Sequence, residues 1–281
     1  MLADYRRSDF SHEGTTKPVY VRGDGPAVIV MHEIPGVTPK VVRFADWIVE
    51  AGFRVYMPLL VGEAGREPTL AYGLASIARV CVSREFAVLA SNRSSPITVW
   101  LRALARHASA ETGGGPVGAL GMCFSGNFAL AMMMEPCLKA PVLSQPSMPF
   151  CVSRAHGKAL HVSPEELTCL KQRCLDGEKV LALRFKGDPM SPASKFETLR
   201  REIGSAFEGI ELEDSCANPD ALQKQAHSVL TEHLIDRDGE PTREAVTRVI
   251  GFFRERLRGG TAATNAAPAA IPALAASRIL P

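Results

Sequence analysis

The sequence predicts an α/β domain, with a mostly parallel central sheet and helices on both of its faces. Two patterns lead there. Apolar runs alternate about six times with segments of helical spacing. The runs are also continuous rather than alternating, as in strands buried on both faces.

The first 24 residues are polar and weakly patterned, with residues 18–21 as a candidate edge strand. Residues 27–31 (AVIVM) form the first core strand, and His32-Glu33-Ile34-Pro35-Gly36 the loop after it. Thr38 then reads as an N-cap with Pro39 at the first helical position. Val41, Phe44, Ala45 and Ile48 follow at helical spacing, Gly52 ends that helix, and residues 53–56 are the next strand. Residues 59–95 read as polar and turn-rich. A helix is expected over 96–107, and a strand over 117–120 runs into a helix just after Cys123. Further strands are expected at 141–143, 180–183 and 207–212. Ser163-Pro164-Glu165-Glu166 is a capping box, Ser191-Pro192 caps another helix, and 241–257 is helical and amphipathic. The expected organisation is an N-terminal segment (1–24), one α/β domain (25–258) and a disordered Ala/Pro-rich tail (259–281).

Composition excludes several classes. Apolar residues make up 46% and charged residues 22%, which is not a disordered or fibrous chain. A net charge of +2 argues against an electrostatic nucleic-acid binder. There is no apolar run of about 18 residues, so no membrane span or membrane partner is expected. The N-terminus lacks a signal-peptide core, which makes the cytoplasm the expected compartment. The 7 cysteines include no CxxC pair, so a disulfide scaffold or a structural zinc site is not expected. No cofactor or metal is expected. The expected partner is a small molecule, acting on a monomer or small homo-oligomer.

The segment that carries chemistry is Gly121-Met122-Cys123-Phe124-Ser125-Gly126. A strand meets a helix with almost no connecting residues, and small residues flank the apex. This is the nucleophile-elbow arrangement of α/β-hydrolase folds, with Cys where Ser is usual. A cysteine at a helix N-terminus is favoured as the reactive thiolate. Ser125 is the alternative nucleophile, although a small residue is needed there for packing alone. In these folds the order along the chain is nucleophile, acid, base. Asp188 follows the strand at 180–183, and His227 follows the strand at 207–212. His233 competes with His227 for the role of base. Backbone N–H groups of Ile34 and Phe124 are the expected oxyanion donors. Glu33, in the same loop as Ile34, could draw the thiol proton or hold an arginine.

Taken together, His32-Glu33-Ile34-Pro35-Gly36, the Cys123 elbow, Gly187-Asp188 and Ala226-His227-Ser228 resemble the dienelactone hydrolase family over about residues 25–257. The resemblance implies an α/β-hydrolase fold, a Cys123–His227–Asp188 triad and no metal. It also implies that Glu33 interacts with Cys123 and helps take its proton. Members of the chlorocatechol pathway hold a substrate carboxylate with two arginines. Arg84 matches one of them, and Thr231 stands where the other would be. A hydroxyl does not replace a guanidinium fork, so a carboxylate-bearing substrate should suffer. The reaction expected is hydrolysis of a small ester or lactone through a covalent thioester. The alternatives are a carboxylesterase, thioesterase or acyl transferase on the same scaffold, a non-catalytic ligand-binding protein, and a redox-responsive thiol protein.

Overall fold

The computed structural model describes residues 1–82, 95–147 and 157–258. Its sheet has eight strands in the order β1-β2-β4-β3-β5-β6-β7-β8. The strands are β1 (Arg6–His12), β2 (Thr15–Arg22), β3 (Ala27–Met31), β4 (Arg54–Pro58), β5 (Val117–Met122), β6 (Leu138–Ser144), β7 (Val180–Phe185) and β8 (Phe207–Leu212). From β4 through β8 all neighbours are parallel, while β1–β2 and β2–β4 are antiparallel. The helices are α1 (Pro39–Glu50), α2 (Leu70–Val82), α3 (Pro96–Glu111), α4 (Phe128–Ala131), α5 (Pro164–Leu175), α6 (Ala193–Ile203) and α7 (Pro241–Leu257).

The continuous apolar strands divide their side chains between two cores. In β3, Ala27, Ile29 and Met31 join one cluster with Trp100 and Phe128. Val28 and Val30 point the other way, into a cluster with Phe44, Phe53 and Phe253. Strand alternation thus buries every β3 residue, and helices cover both faces. The expected helix starts hold at Thr38, whose Oγ1 accepts from Val41 N–H. They hold again at Ser163, where Oγ accepts from Glu166 N–H and the Glu166 carboxylate accepts from Ser163 N–H at 2.6 Å.

Four expectations need correction. The candidate edge strand at 18–21 lies inside β2, an interior strand; β1 is the edge. No β1 residue is buried, so its sequence shows no apolar pattern. The stretch at 59–95 contains α2, whose buried stripe is Tyr72, Ser76 and Val80. Leu70 and Leu74 lie on its exposed side, which erases the polar/apolar contrast that marks a helix. Ser191 does not cap α6; Pro192 is the N-cap residue, and the Ser191 carbonyl accepts from Arg184 instead. The helix after Cys123 is broken into a 3₁₀ turn (Cys123–Ser125), α4 and a second 3₁₀ turn (Met132–Met134). Glu135 is already extended and Pro136 follows it, which ends the helical stretch before β6. The tail from 259 onward lies outside the described residues.

Phe253 sits beneath the elbow strand. A Cβ on Gly118 of β5 would come within 2.9 Å of its ring, and Phe53 meets it edge-on at 6.2 Å. Phe253→Ala should lower the unfolding free energy by about 3–5 kcal/mol, read by urea denaturation.

Candidate active site

The loops at the carboxyl ends of β3, β5, β6, β7 and β8 supply the polar groups of the site, the usual location in an open parallel sheet. At the centre, Cys123 has φ 54, a left-handed backbone that is strained for a residue with a side chain. A Cβ on Gly121 would lie 2.1 Å from Ser125 O, and one on Gly126 would lie 2.6 Å from Pro146 Cα. Both positions therefore require glycine. Ser125 is fully buried. Its Oγ accepts from Met122 N–H at 2.9 Å and faces the carbonyls of Met31 and His32 at 3.1 and 3.0 Å. That hydroxyl is a staple between β5 and β3. Cys123 by contrast is partly exposed and free of any disulfide. The broken helix behind it offers little of the dipole support expected from the sequence.

Asp188 and His227 meet as the sequence order suggested. His227 Nδ1–H donates to Asp188 Oδ2 at 2.7 Å, and Met190 N–H donates to Asp188 Oδ1 at 2.9 Å. Both side chains are buried. Burial works against a charged imidazole, but the charges of Cys123 and Asp188 outweigh it and hold His227 well above its ordinary value of 6.5. His227 Nε2 has no geometrically complete hydrogen bond among the described residues, yet the Cys123 sulfur is near enough to raise its proton affinity through both charge and hydrogen bonding.

The loops of Asp188 and His227 are each braced by a side chain of their own. Arg184, buried in β7, binds Glu211 Oε2 through Nε and Nη2 at 2.9 and 2.7 Å. Its Nη1 donates to the carbonyls of Phe185, Lys186 and Ser191, which bracket Asp188. The acid turn is wrapped around a guanidinium. His233, the competing histidine, holds the His227 segment in place. Its Nδ1 accepts from the N–H groups of His227 and Ser228 at 3.4 and 3.1 Å, while Nε2–H donates to Gln223 O at 2.8 Å. Burial keeps its proton affinity below the ordinary range, consistent with an accepting Nδ1.

Glu33 departs from expectation. Its Oε2 accepts from Ser228 Oγ at 2.7 Å and Gln145 Nε2 at 3.0 Å, and its Oε1 accepts from Thr231 Oγ1. None of these donors is the Cys123 thiol, and none is an arginine. The Thr231 hydroxyl occupies one carboxylate oxygen from the position where the resemblance places a cation. Glu33 therefore ties the β3 loop to the loops after β6 and β8. Gln145 also accepts from Val229 N–H at 3.3 Å, which makes it a second joint in the same network. Ser147 Oγ lies 3.1 Å from Cys123 Sγ. Sequence reasoning passed over Gln145 and Ser147, and the available signal was polar residues at the carboxyl end of an apolar strand.

Of the expected oxyanion donors, Ile34 lies in the β3–α1 loop, joined to Pro35 by a cis peptide, and Phe124 directly follows Cys123. His32 supports that loop. Its Nδ1–H donates to Glu33 O at 2.7 Å and its Nε2 accepts from Leu60 N–H at 2.9 Å. Arg84 lies outside the described residues. Among the described residues, no group of three or more His, Cys, Asp or Glu side chains is placed to hold a metal, and no helix is long and apolar enough to cross a membrane.

The sheet order, the strained elbow and the acid–histidine pair together define an α/β-hydrolase-type protein. The model of the dienelactone hydrolase family matches residues 15–158. This chain belongs to that family. Among solved structures it is similar to a protein from Klebsiella pneumoniae assigned to the dienelactone hydrolases, with 21% identity, 89% of this chain and 98% of that one covered, and a TM-score of 0.58. It is similar to a dienelactone hydrolase from Anabaena variabilis at 13% identity, covering 91% and 100%, with a TM-score of 0.57. A third is a dienelactone hydrolase-like promiscuous phosphotriesterase, P91, from metagenomic libraries, with 16% identity, coverage of 90% and 98%, and a TM-score of 0.57. These likenesses establish the fold. No curated protein matches the chain.

His32 makes the site's support pH-dependent. Burial lowers its pKa from 6.5 to about 4. The unfolded chain takes up this proton first, so stability falls as pH drops from about 6.5 to about 4. Urea denaturation across that window should show a shallower fall in His32→Gln, with a difference of up to roughly 3 kcal/mol.

Proposed function

We propose that the protein hydrolyses a small, uncharged ester or lactone through a thioester on Cys123. The observation that carries this reading is the pairing of a nucleophile-elbow cysteine at φ 54 with a buried His227 held by Asp188 at 2.7 Å. Cys123 gives its proton to His227 Nε2, and the thiolate attacks the carbonyl carbon. The N–H groups of Ile34 and Phe124 receive the oxyanion. His227 then protonates the leaving alcohol and afterwards activates water for deacylation, while Asp188 holds its orientation. A thiolate is itself a good leaving group, so the site favours activated or strained esters, such as enol lactones, over amides. Thr231 in place of a substrate-facing arginine favours substrates without a carboxylate.

The test is hydrolysis of p-nitrophenyl acetate by the wild type and by Cys123→Ala, with folding of both verified by circular dichroism. Activity should disappear in Cys123→Ala and fall on the order of a thousandfold in Asp188→Asn. Equal activity in wild type and Cys123→Ala would end the reading.

A further inference from the structure

We propose that β1 is a docking strand for a second copy of this chain. The β1 edges of the copies pair antiparallel about a two-fold axis at Ser8, which joins their sheets into one. Nothing in this inference depends on the chemistry at Cys123.

The edge is open, and the backbone groups it offers are defined. Glu13 and Gly14, at φ 47 and 76, form the two-residue turn between β1 and β2. Such a turn makes the residues that flank it, His12 and Thr15, a hydrogen-bonded pair. Alternation then turns the backbone groups of Phe10, Ser8 and Arg6 towards β2, and those of Ser11, Asp9 and Arg7 away from it. Pro18 fits this pattern. It stands opposite Asp9, has no N–H to give, and its carbonyl accepts from Leu59 N–H on the far side at 2.9 Å. Arg7 and Asp9 therefore present N–H and C=O groups on the side of β1 where the sheet has no further strand.

An open edge accepts other strands unless its side chains restrict it. Here they select one partner and one register. Arg7 and Asp9 share a face of β1, with side chains 61% and 59% exposed and 3.6 Å apart, and neither meets another charged group among the described residues. When β1 pairs with its own copy, outward-facing residues must oppose outward-facing residues. An axis at Arg7 or at Asp9 sets that residue against its own like charge. An axis at Phe10 leaves Arg7 without an opposite residue inside the strand. An axis at Ser8 sets Arg7 opposite Asp9 of the second copy, and Asp9 opposite Arg7 of the second copy. Both pairs exchange backbone hydrogen bonds and both join opposite charges. The other edge, β8, has no such match, since its charged residues are Glu208 and Glu211 alone.

The same register gives the other face of β1 a partner. Arg6, Ser8 and Phe10 border a cavity of about 250 Å³, walled by Leu104 and His107 of α3. Phe10 stacks on His107, with ring centroids 5.1 Å apart. The Arg6 side chain is exposed and has no ion pair among the described residues. With the axis at Ser8, Arg6 of the second copy stands opposite Phe10, as a guanidinium beside an aromatic ring.

The experiment is sedimentation velocity at low salt on the full chain, from about 1 to about 100 µM. The proteins are the wild type, Arg7→Glu and Asp9→Lys, each with folding verified by circular dichroism. The wild type should pass from monomer to dimer across this range. Each variant alone sets like charges opposite one another at both pairs, and should weaken self-association about tenfold or more. An equimolar mixture of the variants restores opposite charges at both pairs and should sediment as a heterodimer. A wild type that stays monomeric throughout overturns the inference. So do variants that dimerise as well as the wild type, which places the interface elsewhere. A mixture no more associated than its separate components overturns it as well.

Discussion

The chain has to turn from β5 into Cys123 within a single residue, and it accepts a left-handed backbone there, φ 54, to do so. Such a conformation costs about 1–3 kcal/mol and persists only when its surroundings over-determine it. Here they do. Gly121 and Gly126 let backbone from the elbow and the β6 loop approach closer than any Cβ would allow. Ser125 pins the turn to the carboxyl end of β3 through Met31 and His32. The result is a sulfur lifted above the sheet edge, where loops from four other strands can meet it.

Those loops carry buried polar groups, and each needs a partner. The structure answers with braces that act on one loop at a time. Arg184 gathers the carbonyls on either side of Asp188. His233 collects the amides of His227 and Ser228. Glu33 then joins loops to one another, accepting from side chains of Gln145, Ser228 and Thr231. Asp188 and His227 are thus oriented from behind as well as by each other.

The parallel sheet was legible because residues buried on both faces leave continuous apolar runs, as in AVIVM at β3. The elbow was legible because its sterics demand small residues at fixed offsets from Cys123. Elements that do not separate polar from apolar faces left no trace. The edge strand β1 buries nothing, and α2 exposes leucines opposite a stripe that includes Ser76. The placement of Asp188 and His227 at strand ends could be read, but the bracing around them could not, since Glu33 and Thr231 lie 198 positions apart. Arg184 did leave a signal, as the lone charge in the buried strand VLALRF. A cation there must be answered by several acceptors, and the nearby acid turn provides them.

If Cys123 is the nucleophile proposed above, two groups are candidates to receive its proton, and their hydrogen bonds separate them. Glu33 already accepts from hydroxyls on both oxygens and from an amide on one. Taking a proton would weaken or expel at least one of these buried donors, at about 1–3 kcal/mol for each one stranded. It would also loosen the joint between the loops that carry Ile34 and His227. His227 faces no such conflict. Its Nδ1–H is held by Asp188, its Nε2 has no competing bond among the described residues, and the surrounding charges already favour the imidazolium. Thr231 contributes to this through its hydroxyl, which donates to Glu33 Oε1. Within the proposed mechanism, Glu33 then serves as a support and His227 is the proton acceptor that costs the network least.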